Sequence, residues 1–534
     1  MTYMGLALLI LGASPYPVWQ QVYDGGKVDM CHGLCLDSSG RVVVIGETNQ
    51  ASNNDCWIIT MSKSGDSLWS WFYDEGSDEK GFAITTTREG SIAVFTTIDL
   101  RVKTILYDSS GSILWQHGGA APTQIEIAGI IATGNDRIYT ASWYRYSNYE
   151  YLNVVCYSCG GDLIFYTNTL TVWSRVTDIT VGPLGYIYLG SSKAGPCALW
   201  RFSSEGEIEW FREYGNGTTR GFALEINDAD HFFLSGDFVD GTHFDFDFLL
   251  LKWDTAGRLI WPEHKAYDLG ADEHCRDIKL DSISDCYLAG WQERGEEEDV
   301  ALVKTDSAGN MLWAWIDTVE GKQEIEAIEV DEEGYIYLAG SHHNGENWDI
   351  LVMKVRQPLT ITGRVTDSAG TPMEAVPVLL SGDTTVEVLT DTGGYYGIEV
   401  YNGGSYTVSP NLHSWVFEPP SHTYTPLAHR EFEQDFEGRW TGIEESPLDL
   451  VFDLQVAGNR ILYSVPYLTH VKIGVYDVAG RLVKCIVNEK VKPGKYSEEW
   501  KGKDEVGRTL ASGIYFVKMM TEDFEKTTKI VILE

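Results

Sequence analysis

Residues 331–354 read DEEGYIYLAGSHHNGENWDILVMK, and this stretch decides the fold. A tight turn at Gly334 feeds the apolar run 335–339, and a small residue, Gly340, ends it. A polar loop follows, and Asp349 opens a second apolar run that closes on Lys354. Two such runs are strands that cannot bury their faces alone, so neighbouring copies must supply the core. The unit recurs seven times over residues 16–357.

Two independent registers keep step along these copies. A glycine turn followed by apolar residues and an aromatic appears as GDSLW, GSILW, GDLIF, GEIEW, GRLIW and GNMLW. Trp19, Trp69, Trp115, Phe165, Trp210, Trp261 and Trp313 therefore fall 45 to 52 residues apart. The anchors Leu34, Ile84, Ile130, Ile179, Leu224, Ile278 and Ile328 each precede the start of the next strand by eight residues. A period near 50 with four short strands per copy fits a propeller blade. The residue before the anchor is Gly33, Ala83, Gly129, Ala223 or Ala327, with Asp178 and Asp277 as exceptions, which suits innermost strands crowded at an axis. The aromatic column reads as packing between blades.

The last copy stops before its aromatic strand and the region begins with one, around Trp19. An N-terminal strand pairing with the last copy closes the ring and removes an exposed sheet edge. The fold class is therefore all-β: a seven-bladed β-propeller followed by two small Ig-like β-sandwiches.

Connections between the first and second strands of each copy are short, and so are those between the third and fourth. Those between second and third are longer and varied: TNQASNND, YRYSNYEY, DFVDGTHFD, ERGEEED, HHNGENWD. They emerge on one face with the acidic links YDEGSDEKG and DLGADEH, which makes that face the candidate recognition surface. Aromatic faces stack on sugar rings or peptide side chains, so Tyr144, Tyr146, Tyr149, Phe244, Trp291 and Trp348 are the candidate ligand contacts.

Composition narrows the function classes. The 534 residues are 43% hydrophobic and 12% aromatic, enough for large cores in two to four domains. Formal net charge is -38, which opposes binding to nucleic acid and to anionic membrane surfaces. Residues 1–15 carry an apolar core from Gly5 to Gly12 followed by Ala13 and Ser14, the pattern of a secretory signal, although no Lys or Arg precedes the core. No later segment is long and apolar enough to span a bilayer as a helix. The nine cysteines lack the spacing of a disulfide scaffold. Cys156 and Cys159 form a lone CxxC, open to a local disulfide, free thiols, or metal or redox work.

Beyond Pro358 the pattern changes. The segments GRVTD, GTPMEAVPVLL, TDTGGYYGIEV, GSYTVSP and WVFEPP in 358–438 resemble the carboxypeptidase regulatory-like family. That resemblance implies a noncatalytic β-sandwich spacer or adhesion module. A polar linker, 439–446, leads to 447–534. There VYDVAGRLV, the Gly494 turn before Trp500, GKDEVGRTLASGIYFVK and the terminal KTTKIVIL resemble the sorting domain of type IX secretion cargo and the immunoglobulin-like domain of flagellar hook-capping proteins. On this resemblance Tyr476, Gly480, Gly513, Tyr515 and Lys529 carry the sorting motif. The secretion machinery is the implied partner, and secretion or the outer surface of a bacterium the implied destination.

No catalytic constellation stands out: GxSxG, HExxH, P-loop and dinucleotide fingerprints are missing. His342–His343 reads as a solvated turn sooner than a metal site. The recurring frame Asp247/Lys252, Asp299/Lys304 and Asp349/Lys354 reads as blade-stabilising. ERGEEED offers carboxylates to calcium without the order of a defined cage, so no cofactor and no metal site is assigned. The leading expectation is a noncatalytic binding or adhesion protein taking an extracellular glycan or protein. The alternatives are an extracellular hydrolase or lyase acting on polysaccharide or peptide at the propeller axis, and a structural surface-layer component.

Overall fold

Aspartate-capped glycine turns set the strand lengths. Asp37 accepts the backbone N–H of Ser39 and of Arg41, each at 2.9 Å, and Gly40 closes the turn at φ +75°. Asp108, Asp306 and Asp331 repeat the arrangement, and so do Asp367, Asp391, Asp477 and Asp504 in the later modules. A short carboxylate that satisfies two turn N–H groups, with glycine free to take positive φ, makes a stop-and-reverse signal independent of the strands it joins.

The computed structural model describes residues 13–532 apart from 50–52, 99–100, 120–124, 134–135, 147–148, 172–174, 193–195, 216–218, 228–230, 240–244, 319–320 and 442–450. Among the described residues there are strands and turns and no helix. Six four-stranded antiparallel sheets follow in chain order, from Asp29–Leu36 at the start of the first to Met311–Asp317 at the end of the sixth. The seventh consists of Lys322–Val330, Ile336–His343 and Trp348–Arg356, completed by the N-terminal strand Tyr16–Tyr23. Trp19 pairs with Lys354 in that sheet, the pairing the mismatched ends of the repeat call for.

Register explains the second periodicity. Leu34 faces Val44, Ile84 faces Val94 and Ile130 faces Thr140. The later anchors Ile179, Leu224, Ile278 and Ile328 likewise each face the residue ten positions on. Each innermost strand lies beside that of the next sheet, and the seventh lies beside the first. Apolar clusters fill the gaps between consecutive sheets, such as Val43, Ile45, Ile58 and Ile105 between the first and second. Strands buried on both faces in this way carry the near-continuous apolar runs of the repeat.

The aromatic column makes the outer contact. Trp69 lies against Gly111 of the following sheet, Trp115 against Gly161, Phe165 against Gly206, Trp210 against Gly257 and Trp261 against Gly309, while Trp19 lies against Gly65 of the first. All six glycines take positive φ, and at Gly65 and Gly206 the Trp19 and Phe165 rings also occupy the space a Cβ would take, so glycine is required there both for φ and for room. The fifth sheet departs from the expected pattern. Its fourth strand is only Lys265–Tyr267, and Trp261 precedes it, because Pro262 cannot donate to a ladder.

Asp178 and Asp277, the exceptions in the small-residue column, tie adjacent sheets together. Asp178 accepts the N–H of Leu224 in the next sheet at 2.8 Å, and Asp277 that of Ile328 at 2.9 Å. All nine cysteines are free thiols, and burial pushes Cys31 up to about 12, which leaves it unreactive.

Two further sheet pairs follow. Pro358–Asp367 and Pro377–Gly382 lie in opposite four-stranded sheets over one core that includes Ile361, Val378 and Phe436. In the C-terminal module a three-stranded and a four-stranded sheet enclose Ile461, Ile473, Trp500 and Val517. The first pair is fixed to the repeat region by a buried polar junction. Arg430 donates to both oxygens of Asp285 at 2.8 and 2.6 Å, Lys304 lies 3.4 Å from the same carboxylate, and Lys304 donates to Tyr287 and Gln357.

Candidate functional site

A β-bulge in every innermost strand positions side chains that the strand alone would not. Pairing skips His32, Phe82, Thr177, Phe222, Arg276 and Glu326 at equivalent places, and skips between Ile127 and Ile130 in the third sheet. Bulges re-aim side chains, and here they turn neighbours toward one another. His32 stacks on Phe82 at 5.6 Å, while the Arg276 guanidinium sits 4.6 Å from the Phe222 ring and 3.8 Å from Glu326. Deeper in the same strands Lys279 bridges Glu225 at 3.2 Å and Glu329 at 3.3 Å. Desolvation pushes Glu329 up to about 7, with Lys279 opposing it. Glu324 is also raised, first by desolvation and then by the neighbouring Glu298, which Lys322 pairs at 2.7 Å.

The loop face differs from its expected form. Two of the connections taken as long loops are largely strand: Tyr146 pairs with Tyr149, and Arg294 with Glu297, the latter pair leaving a two-residue turn. Strong cross-strand partners, Tyr144 opposite Tyr151 and Gln292 opposite Asp299, carry the ladders outward.

Tyr144 stacks on Tyr151 at 4.9 Å and its hydroxyl accepts from Asn168 at 2.9 Å. Asn168 also donates to the Tyr166 hydroxyl, which donates to Asn153. Tyr149 and Tyr166 are 60% and 55% exposed, so this side of the third sheet presents rings and amides together to solvent. Tyr146 lies on the same hairpin at its turn. Trp348 begins its strand beside His343, ring edge to ring face at 5.2 Å. It borders a cleft of about 900 Å³ with Glu296, Glu297, Lys322, His342 and Asn344.

Trp291 is a correction. It lies inside the strand Cys286–Arg294, is only 7% exposed, and packs under Arg276 at 4.2 Å and against His274 at 5.4 Å. Its alternation in the strand points it into the sheet interface, where it fixes the axial arginine. Phe244 lies outside the described residues. The tyrosine–asparagine network and the bulge residues were missed from sequence, because bulges show no local pattern and Asn153, Tyr166 and Asn168 occupy three positions on two strands.

In the C-terminal module Tyr476 and Gly480 border a shallow hollow with Phe516 and Lys518. Gly480 takes φ +80° in an aspartate-capped turn. Tyr515 stands edge-on to Trp500 at 5.9 Å, Gly513 opens its strand opposite Ile532, and Lys529 pairs with Phe516.

Residues 457–533 match the family of secretion system C-terminal sorting domains. This domain directs the chain through type IX secretion to the cell surface or the medium. No curated protein matches the chain. Three solved structures are similar to it. A protein from Lactobacillus plantarum shares 13% identity over 57% of this chain and 91% of its own, with TM-score 0.43. Luciferin-regenerating enzyme shares 10% over 63% and 95%, with TM-score 0.34. Sqt1 from Chaetomium thermophilum shares 11% over 60% and 81%, with TM-score 0.39. None of the three bears on what this chain binds. No helix among the described residues is long and apolar enough to cross a membrane.

Proposed function

We propose that this is an exported, noncatalytic binding protein whose repeat region is a seven-bladed β-propeller presenting a recognition surface to an extracellular glycan or protein. The spacer at 358–438 is then a carboxypeptidase regulatory-like sandwich, and 447–534 an immunoglobulin-like module that ends its work at export. Supporting the blade count is the succession of seven four-stranded sheets, the last completed by the N-terminal strand. The observation that carries the binding reading is the exposed network of Tyr144, Tyr151, Tyr166, Asn153 and Asn168. Rigid amphipathic rings combined with amide hydrogen-bonding groups give contact area at low entropic cost. The test is an array of glycans and peptides probed with the purified chain and with a Tyr144→Ala, Tyr166→Ala variant. Binding that drops at least tenfold in the variant is expected; binding unchanged by it, or absent for the parent, rejects the reading.

A second reading, a hydrolase or lyase at the axis, is favoured by the raised Glu324 beside Glu298 and by Arg276 at the bulge ring. A carboxyl that holds its proton near neutral pH with a second carboxyl beside it is the kind of pair that acid catalysis on polysaccharide uses. Product release from a polysaccharide or peptide panel that Glu324→Gln abolishes would establish it in place of the first.

A further inference from the structure

On the loop face, where consecutive sheets meet, carboxylates gather in the same way at three junctions. One comes from the start of a third strand (Asp55, Asp247, Asp349). A second follows the outer strand (Asp74, Asp268, Asp24), and a third opens the next innermost strand (Glu79, Glu273, Asp29). Within each trio the donor oxygens lie within 4.8 Å of one another. Between the sixth and seventh sheets Asp299 and the Gln323 amide occupy the first and third of these positions, while Thr318 stands at the second and Asp317 one residue before it.

Burial separates these trios from ordinary acidic surface. Glu79 and Asp29 are fully buried and Asp349 is 3% exposed. Neither oxygen of Glu79 has a hydrogen-bond partner, and Asp29 Oδ1 and Asp349 Oδ1 have none either. At the fourth junction the same holds for Asp317 Oδ2 and for both amide atoms of the fully buried Gln323. At the junction of the fifth and sixth sheets Glu273 instead accepts the N–H groups of Leu269 and Ala271 and the amide of Gln292. A buried carboxylate oxygen left unpaired, as at Glu79, Asp29 and Asp349, is strongly unfavourable unless something compensates it.

We propose that these junctions are calcium sites, each trio holding one ion that clamps the third strand and outer-strand turn of one sheet to the innermost strand of the next. The donors are oxygen only, without the thiolate or imidazole that would select zinc or copper. Calcium accepts irregular sets of carboxylates completed by carbonyls and water, whereas magnesium demands a near-ideal octahedron. Of the run ERGEEED only its last residue, Asp299, reaches such a junction, and it belongs to none of the three trios.

The test uses the full chain, stripped with EDTA and titrated calorimetrically with calcium chloride and separately with magnesium chloride, with melting followed in parallel. The expected result is binding of more than one calcium with Kd of about 10⁻⁴ to 10⁻³ M, the range of extracellular modules, and a rise in melting temperature on calcium that magnesium does not match. Glu79→Gln and Asp29→Asn, at separate junctions, should each remove one ion. Each variant should melt below the parent in calcium and much closer to it in EDTA. A parent that neither binds calcium nor melts higher in it overturns the proposal. Variants that keep full stoichiometry, or that lose stability equally in EDTA and calcium, also overturn it, as does an equal response to magnesium. If Glu79→Gln fails to fold, Asp29→Asn and Glu273→Gln decide the question.

Discussion

Removing the Asp285 carboxylate should loosen the union of the repeat region with the module that follows. Asp285 is 1% exposed, accepts both bonds from Arg430, and lies 3.4 Å from the ammonium of Lys304, itself fully buried. In Asp285→Ala, Lys304 keeps its bonds to Tyr287 and Gln357 but only one carboxylate, Asp281 at 3.6 Å, and Arg430 loses its bidentate partner. At an effective dielectric of about 20, one charge pair at this separation carries about 5 kcal/mol of gross Coulomb energy. Breaking a buried pair by removing one partner has a net effect of about 3–5 kcal/mol, because the remaining charge is stranded. Lys304→Met removes the stranded charge as well, so Asp285→Ala with Lys304→Met should lose less than the sum of the two single variants. Urea unfolding followed by tryptophan fluorescence measures the loss, and limited proteolysis around Gln357 reports the junction directly. A single variant with the parental midpoint and cleavage pattern, or a strictly additive double variant, would refute the reasoning.

Other outcomes follow from the same geometry. Trp348→Ala should weaken binding of any ligand seated in the cleft it borders, while the melting curve stays within about 1 kcal/mol of the parent, since the ring is half exposed. Gly206→Ala, whose Cβ would meet the Phe165 ring at 2.5 Å at φ +83°, should lose more stability than Gly76→Ala. At Gly76 φ is +84° but nothing lies nearby, leaving only the backbone term of about 1–2 kcal/mol. Desolvation first, then Asp277, pushes Asp178 up to about 7. A carboxyl that holds its proton more tightly folded than unfolded stabilises fully below the unfolded value near 4. That contribution is lost as pH rises toward 7. Urea midpoints measured from pH 4 to 8 should fall less steeply in Asp178→Asn than in the parent. Deleting 457–533 should hold the protein inside the cell envelope, read by fractionation, with the repeat region still folded.

The repeat was legible because its signals are local: a capped turn, an apolar run and an aromatic at fixed offsets define a strand pair without knowledge of its neighbours. Register followed from the anchor spacing for the same reason. Trp291 was misplaced because its flanking glutamates and glycine look like a loop, whereas the ladder from Gln292 to Asp299 continues the strand beyond them. The carboxylate trios join residues from three strands of two sheets, and Asp74 or Asp268 alone is indistinguishable from a solvated turn. The polar junction at Lys304, Asp285 and Arg430 joins residues as far as 145 positions apart, Asp285 and Arg430, beyond the reach of any sequence pattern.

The strand Tyr16–Tyr23 also governs when the molecule can finish folding. Its partner ends at Arg356, so the first strand to emerge waits for nearly the whole repeat region before it is paired. Closing so long a loop is entropically slow, and contacts of such sequence separation form late. A chain cut short anywhere within the repeats therefore keeps Tyr16–Tyr23 without its partner strand, an unpaired edge that only the finished seventh sheet removes.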